Sequence, residues 1–238
     1  MINENSISVI VPALNEDKNL EATVETVSQV VKRRFDEYEV IIFNDGSVDR
    51  TGEIAEALAK QDKHIRAIHH RNSKCLGGVY KEGRELARMN YLILVNGKCD
   101  ITQESLDKIF ALCGKADMVI PYTTNTQDRS LFRRANSKAF VWLLNTIFRL
   151  NLKYYNHFVL HKKEIVNSID IWTNSYAFQA EVLIKLIKSG YSYIEIGVTD
   201  RFEKGIKSKA FKPRNILAIG LFLIRTMHEI YFGKKASK

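Results

Sequence analysis

The chain holds 238 residues, 45% of them hydrophobic and 10% aromatic, which is enough for one large α/β core without requiring a second. Its formal net charge of +9 asks for an anionic partner, yet no aromatic-basic RNP pattern, helix-turn-helix or zinc module marks a nucleic-acid binder. Cys75, Cys99 and Cys113, odd in number and without CxxC spacing, argue against a disulfide framework or a zinc site and make a reducing cytoplasm the expected compartment.

In chain order, Ser6–Pro12 is an apolar strand, and Pro12, with no N–H to give a ladder, belongs at its end. Asn15 or Asp17 is placed to cap an amphipathic helix over residues 17–34, with Leu20, Val24, Val27, Val30 and Val31 inward. Val40–Phe43 reads as a strand buried on both faces. Short strands follow at Ile65–His69, Tyr91–Val95 and Asp117–Pro121, alternating with helices at Leu76–Met89 and Gln103–Cys113. This rhythm over residues 6–121 predicts a mostly parallel sheet covered on both sides. After the polar stretch Tyr122–Asp128 the pattern shifts to long helices at Ser130–Leu150 and Tyr176–Ser189, and a late strand at Tyr193–Val198. The expected organisation is a single domain over 1–212, nucleotide-binding in 1–121 and acceptor-binding in 122–212, followed by an amphipathic, basic helix and tail over 213–238.

The most informative stretch is the end of the second strand. Asp45 follows Phe43–Asn44 at the carboxyl edge, where open α/β sheets bind ligands. Gly46 permits a tight turn, and Asp49 or Ser47 can cap the next helix. Such a carboxylate suits a ribose hydroxyl, a base edge or a metal; it equally suits a plain capping turn. The first strand repeats the grammar with Asn15–Glu16, so two neighbouring tips offer acidic groups to one crevice.

The cations gather in the second half: Arg129, Arg133, Arg134 and Lys138, then Lys204, Lys207, Lys209, Lys212 and Arg214, with Lys234, Lys235 and Lys238 beyond the apolar run Ile216–Ile224. That run, at nine residues, is short of the roughly 20 that span a bilayer, and the opening residues lack the pattern of a signal peptide. A helix lying on an anionic membrane face and a buried terminal helix ringed by solvated lysines both account for it. The 130–150 helix is apolar over much of its circumference, so a membrane or a second copy of the chain is an expected cover. The histidines are scattered without ligand spacing and read as core or surface residues.

The motifs Ile7–Glu16, Asn44-Asp45-Gly46-Ser47 with Asp49 and Thr51, and Gly77-Gly78 resemble the family 2 glycosyltransferases, in the dolichol-phosphate mannose synthase-like, or polyprenyl-phosphate glycosyltransferase, branch. The resemblance covers residues 6 to about 212. It implies a GT-A-like (Rossmann-like) fold, a UDP- or GDP-linked sugar donor, inversion at the anomeric carbon, a divalent metal (Mg²⁺ or Mn²⁺), and a lipid-phosphate acceptor reached by peripheral contact with the inner membrane face. It places Pro12, Leu14 and Glu16, with Phe43 and Asp45, around the base and ribose, Arg129 against phosphate, and Arg201, Lys207 and Lys209 in a segment closing over the diphosphate. It also places Asn96, Gly97 and Lys98 at the donor, where the family carries an Asp-x-Asp triplet. Asn96 and Lys98 stand in the aspartate positions, and an ammonium cannot ligate a metal. Asp100, with Asn96, then serves as the metal ligand if the loop bulges; alternatively Lys98 neutralises the diphosphate without metal, or the chain binds nucleotide without turnover. A glycan or glycolipid hydroxyl acceptor would need a protein base, for which Asp200 and Glu203 are the candidates.

Overall fold

The computed structural model describes residues 5–201 and 213–232. Seven strands form one sheet: β1 (Ser6–Ala13), β2 (Glu37–Asn44), β3 (Ile65–His69), β4 (Tyr91–Leu94), β5 (Met118–Thr123), β6 (Leu160–Lys162) and β7 (Tyr193–Val198). Their order is β3-β2-β1-β4-β6-β5-β7. Only β6 runs antiparallel to its neighbours. The helices are α1 (Leu20–Arg34), α2 (Thr51–Gln61), α3 (Cys75–Leu86), α4 (Gln103–Phe110), α5 (Leu131–Phe148), α6 (Lys163–Asn167), α7 (Phe178–Lys188) and α8 (Pro213–Phe232).

The alternation of side chains along each strand divides the core in two. Ile10, Ile41, Phe43, Leu92 and Leu94 face one layer, built with α3, α5 and α7. Val9, Val11, Val40, Ile42 and Ile93 face the other, built with α1, α2 and α4. Both faces being covered, the segments Val9–Ala13 of β1 and Val40–Phe43 of β2 are apolar without interruption, as parallel strands require. The two buried serines of β1 are satisfied: Ser8 donates to Glu39 Oε1 at 2.7 Å, and Ser6 Oγ accepts from Asn90 N–H.

Several boundaries differ from the sequence expectation. Helix α1 begins at Leu20 rather than residue 17, because Glu16 O accepts the N–H groups of both Asn19 and Leu20 and a turn precedes the helix. Its inward residues are those the spacing predicts. Neither Asn15 nor Asp17 caps it; Asn19 stands at the cap position without a side-chain capping bond, its amide donating instead to Glu16 Oε2 at 3.0 Å. Helix α3 stops at Leu86, three residues short of Met89, since Ala87 is extended. Strand β6 and α6, three and five residues long, are too short to carry a periodic signal in the sequence.

Helix α5 is capped by Ser130, whose Oγ accepts from Arg133 N–H, and ends at Arg149, which turns left-handed at φ 50°. Only Leu144 and Phe148 of α5 are buried, whereas Leu131, Phe132 and Trp142 stand 67–77% exposed. Helix α8 extends well beyond the apolar run and packs through Phe222 and Thr226. Tyr231 donates to Ile147 O at 2.8 Å, tying α8 to α5. No described helix is long and apolar enough to cross a membrane.

Candidate active site

Strand order reverses beside β1, whose chain continues to β2 on one side while β4 lies on the other; ligands of open α/β sheets bind at such a switch point. The three carboxyl ends are bonded together. Asp45 N–H donates to Ala13 O at 2.9 Å, and Gly97 N–H to Pro12 O at 3.0 Å. A Cβ at Gly97 would lie 3.1 Å from Pro12 O and 3.2 Å from Ala13 Cβ, so a larger residue would have to push the β4 loop slightly off β1.

The loops after β1 and β2 are zipped to each other. Asn15, at φ 57°, donates its N–H to Ser47 Oγ at 3.0 Å, and its Oδ1 accepts from Val48 N–H at 3.0 Å. Glu16 N–H donates to Thr51 Oγ1 at 2.8 Å. Asp49 Oδ1 accepts from the N–H and hydroxyl of Thr51, at 3.0 and 2.6 Å. Burial works against the charge of Asp49, but these bonds from Thr51 and one from Asp17 N–H hold its carboxyl below the usual range. Asp49, one residue ahead of the N-cap position Arg50, therefore takes up the first N–H of α2, while Ser47 serves the loop junction.

Asp45 is 4% exposed and densely held. Its Oδ1 faces His70 Nδ1 at 2.7 Å and accepts from Lys74 N–H at 2.8 Å; its Oδ2 accepts from Ser73 Oγ at 2.6 Å. The other ring nitrogen of His70 faces Glu82 Oε2 at 3.0 Å, and Lys74 Nζ pairs with the same oxygen at 2.6 Å. Gly46, at φ 82°, makes this possible: a Cβ there would sit 3.0 Å from Ser73 N.

A second acidic centre lies where the β4 loop meets the end of β7. Cys99 takes a left-handed conformation at φ 55°, its N–H held by Thr23 Oγ1 at 2.8 Å, so the chain turns sharply just before Asp100. Ile101 bridges to Asp200, and Arg201 N–H donates to Asp100 O at 2.9 Å. Asp100 Oδ1 is buried and accepts no hydrogen bond from any described residue. Burial, and next the charge of Asp200, push its carboxyl up to about 6, with His157 and Lys98 acting in the opposite direction. Asp200 is the contrary case. Burial raises it, but His157, Thr123 and Arg129 more than compensate and hold it below the usual carboxylate range. Its Oδ2 accepts from Thr123 Oγ1 at 2.6 Å and Arg129 Nη2 at 3.3 Å, and its Oδ1 faces His157 Nε2 at 3.0 Å. Because His157 Nδ1 accepts from Phe158 N–H, Nε2 is the nitrogen left to donate to Asp200. Arg129 Nη1 reaches the Tyr154 hydroxyl at 3.3 Å.

The structure thus brings Pro12, Glu16, Asp45, Asn96, Gly97 and Lys98 to one edge of the sheet, with Asp100, Arg129 and Arg201 at the β4–β7 side of it. Leu14 is exposed at the tip of β1, whereas Phe43 is fully buried, its ring centroid 5.7 Å from that of His70. Arg201 is exposed, with Nη1 3.3 Å from Cys99 Sγ. Lys207, Lys209 and Glu203 lie outside the described residues. His70 and His157, which the sequence marks only as core or surface residues, are the partners that orient the two buried aspartates. Spacing could not reveal them, since each bond joins residues far apart in the chain.

A mostly parallel sheet with acidic loops at the switch point defines a GT-A-like nucleotide-binding fold. The chain belongs to glycosyl transferase family 2, whose profile matches residues 8–172. It is 26% identical over 234 residues to glycosyltransferase AglD of Haloferax volcanii, covering 94% of this chain and 37% of that protein. It is 27% identical over 208 residues to polyprenol monophosphomannose synthase of Mycolicibacterium smegmatis, covering 80% of this chain and 76% of that one. Among solved structures it resembles M. tuberculosis glucosyl-3-phosphoglycerate synthase in complex with Mg²⁺ and UDP, at TM-score 0.68 and 16% identity, covering 98% of this chain and 81% of that chain. The last likeness speaks to the fold alone.

Proposed function

We propose that the chain is an inverting glycosyltransferase that moves a sugar from a nucleotide-sugar donor to a polyprenyl-phosphate-type lipid acceptor at the inner face of a membrane. The observation that carries this reading is the paired acidic centre, Asp100 beside Asp200 and Arg129, at the same sheet edge as the Asp45 loop. Asp45, its oxygens bonded by His70, Ser73 and Lys74, fixes the shape of the loop, and Glu16, with Leu14 at the open tip, lines the nucleoside site. Family membership and the likeness to a polyprenol monophosphomannose synthase support the donor and acceptor classes.

A divalent cation, Mg²⁺ or Mn²⁺, fits the residues present. Asp100 offers a buried carboxylate oxygen with no hydrogen bond from a described residue, and Asn96 an amide oxygen. Among the described residues no three His, Cys, Asp or Glu could hold a metal unaided, so Asp100 and Asn96 would share it with donor phosphates and water, as Mg²⁺ commonly requires. When bound it would offset the charge gathering on the leaving diphosphate.

The chain's own groups do the rest. Arg129 is fixed by Thr123, Asp200 and Tyr154 before substrate arrives, so its charge is preorganised for phosphate. Lys98 is exposed beside Asp100 and, with the exposed Arg201, completes the cationic surround among the described residues. Asp200 has both oxygens committed and is poorly placed to take a proton from a hydroxyl. A lipid phosphate, already ionised near neutral pH, needs no base. Exposed Leu131, Phe132 and Trp142 on α5 and Leu221, Ile224 and Phe232 on α8, with Arg133, Arg134 and Lys138 on α5, form apolar and basic faces suited to an anionic leaflet.

Thermal shift across UDP-, GDP- and dTDP-sugars, with and without Mn²⁺, tests the donor reading. One nucleotide class should stabilise the protein, more so with Mn²⁺; no shift with any of them overturns it.

A further inference from the structure

The segment between α6 and α7 runs from the face of α8 to the start of α3. At one end it is gripped by α8. The Trp172 ring lies under the Arg225 guanidinium, 3.4 Å from its centroid, and the indole N–H donates to Glu229 Oε2 at 3.0 Å. Beneath them Lys185, 3% exposed, pairs with Glu181 at 3.0 Å and with Glu229 at 2.7 Å, and donates to Asp170 O at 2.7 Å. Glu181, 1% exposed, accepts the N–H groups of Trp172 and Thr173 at 2.8 and 3.0 Å. Burying these charges costs desolvation that only good geometry offsets, so the network selects one seating of α8 more than it adds stability.

At its other end the same segment abuts the start of α3. Asn174 O accepts Gly77 N–H at 2.9 Å, and a Cβ at Gly77 would lie 2.5 Å from Thr173 O. A Cβ at Gly78 would lie 2.9 Å from Lys74 Cβ. Lys74 and Ser73, immediately before α3, are the residues that donate to both oxygens of Asp45. Contacts therefore run without a gap from Glu229 and Arg225 on α8, through Trp172, Thr173 and Asn174, to the turn that holds Asp45.

We infer that Trp172 is a positioning residue that couples the seating of α8 to the nucleotide-binding loop at residues 72–78. The helix that presents Leu221, Ile224 and Phe232 to a membrane is also the one that clamps this strap. Seating α8 keeps Asn174 against Gly77 and keeps Ser73 and Lys74 on Asp45. Unseating it frees the strap, and the Asp45 turn loosens. Donor affinity then becomes conditional on α8 being docked. This rests on the proposed donor site only in its last step; the mechanical link is a property of the chain.

The test is hydrogen–deuterium exchange of the full chain, with UDP and GDP binding measured by titration calorimetry. Trp172→Ala and, as a milder change at the surface, Arg225→Ala should each raise exchange in peptides covering residues 72–80 by at least about fivefold, the low end of common inter-site coupling. They should weaken nucleotide binding by a similar factor, raising KM for the donor and leaving kcat in place. Trp172→Phe, which keeps a ring for Arg225, should recover most of both. Exchange at 72–80 that stays at the wild-type level while residues 219–232 exchange faster in Arg225→Ala overturns the coupling. A wild type that binds neither UDP nor GDP instead overturns the donor reading, and the exchange result still decides the coupling.

Discussion

Asp100 should destabilise the metal-free protein, and replacing it should show by how much. Its carboxyl sits at about 6 rather than 3.8, through burial first and the charge of Asp200 second. A folded pKa above the unfolded one means that folding favours the protonated acid. The penalty is therefore absent below about pH 4, grows as pH rises, and is complete above about 6. A displacement of about two pH units, at roughly 1.4 kcal/mol each, gives about 3 kcal/mol at pH 8 and about 1 kcal/mol at pH 4.5. Asp100→Asn keeps the shape and removes the charge. For a chain of this length each kcal/mol moves Tm by about 2–4 °C, so the variant should melt about 6–12 °C higher at pH 8 and only a few degrees higher at pH 4.5. Scanning calorimetry of both proteins in chelator at the two pH values measures this. A variant no more stable than wild type at pH 8, or a gain that does not change with pH, refutes the reasoning. The same variant should lose the stabilisation that Mn²⁺ with nucleotide gives the wild type.

Arg129→Lys should lower turnover by about 10–100-fold, because one ammonium cannot serve Tyr154 and the Thr123–Asp200 pair together; steady-state kinetics measures it. Gly46→Ala should cost more than about 1 kcal/mol in a urea titration, since φ 82° and the approach of Ser73 N both exclude a Cβ. Asp117 is held at about 2, by Lys162 first and then Ser192. This depressed acid contributes stability above its unfolded pKa of about 3.9 that is lost as pH falls toward 2, so Lys162→Met should move acid unfolding, followed by circular dichroism, to higher pH. Trp142→Ser combined with Ile224→Ser should release the protein from anionic vesicles in a flotation assay while leaving its far-ultraviolet spectrum unchanged.

The elements legible in the sequence are those whose signal is local. The strands Ile65–His69 and Tyr193–Val198 fall at the expected residues, and Leu20, Val24, Val27, Val30 and Val31 face inward because a 3.6-residue period leaves them no other face. Asp45 was legible for the same reason, as a carboxylate at the end of an apolar run. What could not be read is what depends on distant pairing. Strand β6 is three residues long and exists because β4 and β5 leave a slot between them. His70 meets Asp45, and His157 meets Asp200, only after the sheet assembles, so neither histidine has a spacing to betray it. Asp200 stood out only as one of two acids among lysines, whereas folding makes it the hub of a buried network. The sequence points to an α1 start three residues ahead of Leu20 because Asn15 resembles a cap, whereas its side chain is spent on Val48 N–H.

The central claim is that acidic loops at one sheet edge hold a nucleotide sugar whose glycosyl group passes to a lipid phosphate. Radiolabelled UDP- and GDP-sugars incubated with polyprenyl phosphate in anionic vesicles, then partitioned into organic solvent, test it most directly. Label should enter the organic phase from one donor class and be lost with EDTA or with Asp100→Asn; label that stays in the aqueous phase for every donor contradicts the claim.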